Sequence, residues 1–126
     1  MVVDDSPIMR RLVIRTLALE GDYEFVEAES ASDAVKKLGL ALPALIVLDV
    51  GLGTESGFDL LTSLKGNAST VAIPIIICTA NGDPATIEKS ERLGADAYVP
   101  KPISTQVLRS VVRKILNPPE DEVPES

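Results

Sequence analysis

Residues 44–51 read Ala44-Leu45-Ile46-Val47-Leu48-Asp49-Val50-Gly51. Apart from Asp49 the run is apolar, with β-branched Ile46, Val47 and Val50 among its residues. It is too short for a helix and lacks the alternation of a half-covered strand, which suits a central strand buried on both faces. Two buried faces require helices on both sides of the sheet. Asp49 then stands at the carboxyl end of that strand, with a Gly-rich loop behind it.

Strand-like and helical stretches alternate outward from this run. Met1-Val2-Val3 is a short strand, followed by Ser6-Pro7, a cap residue with proline at the first helical position, and by Met9, Leu12, Val13, Thr16 and Leu17 at helical spacing. Residues 23–28 alternate like a strand with one covered face, and Ala31, Ala34, Val35 and Leu38 trace a helical stripe ending near Gly39. Phe58, Leu61 and Leu64 mark a third helix, and residues 73–79 a fourth strand in which Pro74 must sit near the start or off the ladder. Residues 84–93 read as a helix whose only large apolar side chains are Ile87 and Leu93, so it should be the least firmly packed. Residues 97–99 form a short fifth strand, and Leu108, Val111, Val112 and Ile115 a last helix. This is a (βα)5 chain, an α/β domain with a parallel sheet and right-handed crossovers.

Composition removes several function classes. There is no histidine, and Cys78 is the single cysteine, which excludes a disulfide framework, a Cys/His zinc site, Ser-His-Asp and Cys-His triads, and a phosphohistidine carrier. The longest apolar runs fall far short of the ~20 residues of a membrane span, and no signal peptide opens the chain, so a cytoplasmic protein is expected. The 12 Lys+Arg stand against 19 Asp+Glu, and aromatics make up 3% of the 126 residues, a poor basis for direct nucleic-acid binding. Residues 117–126 hold four of the acids and three prolines, leaving 15 of the 19 acids against all 12 bases in residues 1–116. The division expected is one domain over 1–116 and an acidic, Pro-rich tail or linker over 117–126.

In parallel α/β sheets ligands bind beyond the carboxyl ends of the strands, where strand order reverses. Asp4 and Asp5 follow the first strand, Asp49 ends the third, Thr79 ends the fourth and Lys101-Pro102 follows the fifth. Three converging carboxylates without His or Cys favour a hard divalent cation such as Mg2+. An ammonium and a hydroxyl beside them can hold phosphoryl oxygens, and with no Ser-base pair or thiolate site available Asp49 is the natural nucleophile, giving an acyl phosphate. Singly, each residue has a duller reading: Asp5 beside Ser6-Pro7 as a helix cap, Thr79 as an ordinary strand end, Lys101-Pro102 as a loop. Their conjunction at four strand ends favours a site.

Val2-Val3-Asp4-Asp5-Ser6-Pro7, Leu48-Asp49-Val50, Ser56-Gly57-Phe58-Asp59-Leu60-Leu61, Thr79-Ala80, and residues 94–98 through Lys101-Pro102 together resemble the receiver domain of two-component response regulators, over residues 1 to about 116. The resemblance implies a flavodoxin-like strand order 2-1-3-4-5 and a phosphoacceptor switch. Asp49 would accept the phosphoryl group from a histidine kinase or phosphotransfer protein. Mg2+ would be held by Asp5, Asp49 and the Gly51 carbonyl, with Asp4 acting through water. Lys101, Thr79 and the amides of Val50, Gly51 and Ala80 would hold the phosphoryl oxygens, the Lys101-Pro102 bond would be cis, and Thr79 and Tyr98 would relay the change to the face of the fourth helix, fifth strand and fifth helix, where an output protein or domain docks. A phosphorylation-dependent dimer is left open.

The chain departs from the family pattern in places. Gly53 stands where proline is usual, and Gly51 places no side chain over Asp49. The first strand is short, and Val111 occupies the position of an arginine typical of receivers that dimerise through their fourth and fifth helices. Rival readings fit less well. The Gly51-Leu52-Gly53-Thr54-Glu55-Ser56-Gly57 loop has its third glycine one residue late for a dinucleotide fingerprint. An Asp-nucleophile phosphohydrolase would need an acid at Gly51. A pseudo-receiver, binding proteins without phosphorylation, is opposed by the complete set Asp5, Asp49, Thr79 and Lys101.

Overall fold

In a computed structural model, which describes residues 1–52, 55–80 and 82–117, five parallel strands form one sheet. They are β1 (Val2–Val3), β2 (Glu27–Ala28), β3 (Ile46–Leu48), β4 (Ile75–Thr79) and β5 (Ala97–Pro100), in the order β2-β1-β3-β4-β5. The helices are α1 (Pro7–Ala18), α2 (Ala31–Leu38), α3 (Gly57–Lys65), α4 (Pro84–Arg92) and α5 (Thr105–Leu116). A small antiparallel ribbon pairs Gly51–Leu52 with Glu55–Ser56 after β3. The expected 2-1-3-4-5 order is therefore observed, with its reversal point between β1 and β3. Gly53 and residues 118–126 lie outside the described residues.

Four of the helices begin in the same way. Ser6, Ser30, Ser56 and Ser104 each cap a helix by accepting the backbone N–H three residues on, from Met9, Asp33, Asp59 and Val107. Such caps are worth about 1 kcal/mol each. The exception is α4, whose cap residue Asp83 makes no side-chain capping bond.

The strand pleat divides the core into two layers. Ile75 and Ile77 face one side with Val3, Ala28, Ile46, Leu48 and Leu61, while Ile76 and Cys78 face the other with Val13, Leu17, Leu108 and Val112. All of β4 is buried, as expected of a central strand. Pro74 sits just outside it, its carbonyl accepting the Ile46 N–H at 3.0 Å. The residues that α4 buries are Thr86 and Ser90, with Ile87 half-buried, so this helix contributes little apolar area to the core.

Strands β1 to β4 are all shorter than their sequence patterns, β2 and β3 most of all. Of residues 23–28 only Glu27–Ala28 are in the ladder, because β1 offers two residues to pair with, although the Val26 carbonyl still accepts the Val2 N–H at 2.8 Å. Of residues 44–50, the ladder takes in Ile46–Leu48, which pair with β1 on one side and with Ile75–Ile77 of β4 on the other. An apolar cavity of about 270 Å³ bordered by Leu17, Phe25, Leu45 and Leu116 lies away from the strand ends that carry Asp4, Asp49 and Lys101, and offers no comparable polar chemistry.

Candidate functional site

The carboxyl ends of β1, β3, β4 and β5 bring Asp4, Asp49, Thr79 and Lys101 to one edge of the sheet, as their strand positions predict. Lys101 reaches across it. Its Nζ lies 2.8 Å from Asp4 Oδ2 and 2.8 Å from Asp49 Oδ2, with all three side chains largely withdrawn from solvent. Burial alone would push the Lys101 pKa down, but the hydrogen bonds and charges of Asp4 and Asp49 hold it above its ordinary value. The ammonium is thus a fixed positive charge between two carboxylates. The Lys101-Pro102 peptide is cis, as expected.

Asp4 is held at every polar group it has. Its N–H donates to the Ala28 carbonyl at 3.0 Å, Oδ1 accepts the Ser6 N–H at 2.9 Å, Oδ2 accepts Lys101, and its carbonyl accepts Arg10 Nη1 at 2.7 Å. Asp49 is anchored in a similar way, with its N–H on the Val3 carbonyl at 2.9 Å, Oδ1 accepting the Gly51 N–H at 2.9 Å and Oδ2 accepting Lys101. Asp5, by contrast, is exposed. One oxygen from each of Asp4, Asp5 and Asp49 lies within 4.8 Å of the others. Ligand oxygens on one Mg2+ stand roughly 3–4 Å apart, given its ~2.1 Å bonds, so a modest swing of exposed Asp5 closes the set. The all-oxygen donors, with three carboxylates against one ammonium, fit a divalent cation.

Thr79 is buried at the end of β4, and its carbonyl accepts the Lys101 N–H at 3.1 Å. Tyr98 is half-buried on β5, with its hydroxyl 3.5 Å from the Thr79 carbonyl and its pKa raised, chiefly by burial and also by Cys78 and Asp83. A Cβ on Gly82 would stand 3.0 Å from that hydroxyl, so the ring tip lies close against the loop that leads to α4. Val50 is buried, while Gly51 and Ala80 are exposed at the ends of their strands. Among the described residues, a Cβ at Gly51 would meet only Asp49 Oδ1, at 3.5 Å. Burial pushes the Cys78 thiol to about 11, which makes it a core group and not a second nucleophile.

Sequence reasoning gave no role at the site to two residues that shape this edge. Gly57, the first residue of α3, lies against the Asp49-Val50 peptide so closely that no side chain fits, and Arg10 grips the Asp4 carbonyl from behind. The sequence signal for Gly57 was its place directly after the cap Ser56. Nothing local marked Arg10.

Comparison with known proteins bears on the whole arrangement. Residues 1–113 match the family described as "Response regulator receiver domain". The chain belongs to this receiver family. The receiver is 32% identical over 117 residues to the chemotaxis protein CheY1 of Helicobacter pylori, covering 92% of this chain and 94% of that one. It is 35% identical over 127 residues to the phosphate regulon transcriptional regulatory protein PhoB of Pseudomonas aeruginosa, covering 98% of this chain and 55% of PhoB. Relative to PhoB, the receiver thus spans about half the length. Among solved structures, the receiver domain of NtrX from Brucella abortus superposes with a TM-score of 0.83 at 29% identity, covering 91% of this chain and 95% of that one. No described helix is long and apolar enough to cross a membrane.

Proposed function

We propose that this receiver is a phosphoacceptor switch in which Asp49 takes a phosphoryl group from the phosphohistidine of a histidine kinase or phosphotransfer protein. The observation that carries the reading is the Lys101 ammonium held 2.8 Å from both Asp49 and Asp4 at the strand ends. A carboxylate oxygen of Asp49 attacks phosphorus, an O–P bond forms, and the P–N bond to the donor imidazole breaks with its electron pair returning to nitrogen. Lys101 then has a phosphoryl oxygen to pair with in place of the Asp49 carboxylate, while the Thr79 hydroxyl and the amides of Val50, Gly51 and Ala80 hold the others. Asp5, Asp49 and the Gly51 carbonyl would hold Mg2+, with Asp4 acting through water, and the bound cation would supply charge neutralisation at those oxygens.

The reading includes autodephosphorylation, supported by the lack of a side chain at Gly51 to shield the acyl phosphate from water. Tyr98, lying against Thr79 and the Gly82 loop, couples the phosphoryl group to the α4–β5–α5 face, where an output protein or domain docks. The weakly started, lightly packed α4 is suited to that movement. We place the receiver in the cytoplasm, with residues 1–116 as the domain and 117–126 as a tail or linker.

The test is intact mass after incubation with Mg2+ and acetyl phosphate, with Asp49→Asn alongside. A gain of one phosphoryl group by the wild type, removable by hydroxylamine and absent in the variant, is expected. A wild type that gains none from acetyl phosphate or from any phosphohistidine donor overturns the reading in favour of a phosphorylation-independent module.

A further inference from the structure

Arg10 lies in the first turns of α1, and its side chain is only 14% exposed. Its guanidinium makes two directed bonds, Nη1 to the Asp4 carbonyl at 2.7 Å and Nε to Glu27 Oε1 at 3.0 Å on β2. The Asp4 carbonyl belongs to the peptide that joins Asp4 to Asp5. The orientation of that peptide plane sets the direction in which the Asp5 side chain leaves the backbone. Asp5 itself is exposed and not otherwise fixed by the contacts that hold Asp4 and Asp49. Behind Glu27 the chain of contacts continues: its carbonyl accepts Lys37 Nζ, and Lys37 pairs with Asp33 at 3.2 Å on α2. The guanidinium is therefore itself braced between two secondary-structure elements.

We infer that Arg10 is a positioning residue for the divalent-cation site: it fixes the Asp4-Asp5 peptide so that Asp5 is presented to the cation beside Asp49. The inference rests on the cation-site reading above. Two physical effects of Arg10 have opposite signs, and this makes the role testable. As a positive charge bonded to the backbone of Asp4, beside the proposed cation site, it opposes cation binding, so its removal on electrostatic grounds alone tightens Mg2+. As a brace for the peptide it favours binding, so its removal weakens Mg2+. Outer-shell groups that orient ligands commonly carry 10- to 100-fold in metal affinity, roughly, which exceeds the effect of one partly screened charge. Lysine cannot replace the fork, since its ammonium has no two fixed donors to span Asp4 and Glu27.

The experiment is calorimetric titration of Mg2+ into the full chain, as wild type, Arg10→Met and Arg10→Lys, with thermal unfolding in metal-free buffer to establish that each is folded. Mg2+ affinity is expected to fall roughly ten-fold in Arg10→Met and by a similar factor in the charge-conserving Arg10→Lys. A merely structural salt bridge would lower the melting temperature and leave the affinity of the folded protein unchanged. Affinity that is unchanged or tighter in Arg10→Met, or unchanged in Arg10→Lys, overturns the inference while leaving the cation site standing. A wild type that binds no Mg2+ overturns the site and the inference together.

Discussion

Gly57 and Val50 are in backbone contact: a Cβ built on Gly57 would fall 2.3 Å from the Val50 Cα and 2.7 Å from the Asp49 carbonyl oxygen. The Gly57 N–H also donates to the Val50 carbonyl at 3.1 Å. The start of α3 is therefore the floor beneath the residue proposed to carry the phosphoryl group, and the atoms in the way are backbone, which cannot rotate aside. Gly57→Ala is expected to lower stability by about 3 kcal/mol, the upper end of overpacking costs, and to slow phosphorylation of Asp49 by displacing it. Urea unfolding and the rate of labelling by acetyl phosphate measure the two effects. A variant with the wild-type midpoint and rate would mean that the loop can open freely.

Lys101 offsets the repulsion of Asp4 and Asp49 in the unphosphorylated protein. Lys101→Ala leaves two largely buried carboxylates facing each other, and loss of one partner from a buried ionic cluster costs about 3 kcal/mol or more. A divalent cation can take over part of that neutralisation. The melting temperature of Lys101→Ala is thus expected to fall in metal-free buffer and to rise more steeply with Mg2+ than that of the wild type. Equal Mg2+ responses in the two proteins would argue that cation and lysine do not share the carboxylates.

Much of this was legible in the sequence, for a physical reason. Strands buried on both faces leave continuous apolar runs, so the polar residues at their ends stand out, and Asp4, Asp49, Thr79 and Lys101 could be placed at one edge without coordinates. What failed to show was anything set by a distant partner. Residues 23–26 alternate like a strand but lack a ladder because β1 is two residues long, which is a property of the neighbour and not of the segment. Gly57 stood in the sequence only as part of a motif and as a loop glycine, and its close approach to Val50 exists only once α3 turns back over β3. Arg10 reads as one of three arginines on α1, and only the fold aims it at the Asp4 carbonyl.

Gly51 places no side chain over Asp49, and among the described residues a Cβ there would meet only the Asp49 carboxylate. A long side chain at this position would hang over the acyl phosphate and obstruct the water that cleaves it. Gly51→Arg is expected to lengthen the lifetime of phosphorylated Asp49 several-fold, with little effect on folding because the site is exposed. The decay of the phosphorylated mass after removal of the donor is the measurement. A wild-type lifetime longer than that of Gly51→Arg would reject the idea that access of water limits the signal.

Glu20, in the turn after α1, accepts hydrogen bonds from Arg109 and Arg113 on α5, the latter at 3.0 Å through Nη2. These two arginines, by hydrogen bond first and by charge as well, hold the Glu20 pKa below its ordinary value of 4.5. A carboxyl group whose pKa is lowered by folding binds protons more readily in the unfolded chain, so it favours the folded state wherever it is ionised. That contribution is complete above the ordinary value and is withdrawn as the pH falls through the lowered one. Glu20→Gln should therefore be less stable than the wild type at pH 7, and the gap between them should close as the pH drops below about 4.5. The difference between the two proteins isolates this pair, because the protonation of every other carboxylate is common to both. Urea midpoints for both proteins at pH 7 and pH 3 decide the matter: a gap that persists undiminished at pH 3 would mean that glutamine loses packing between α1 and α5, not an ionic link.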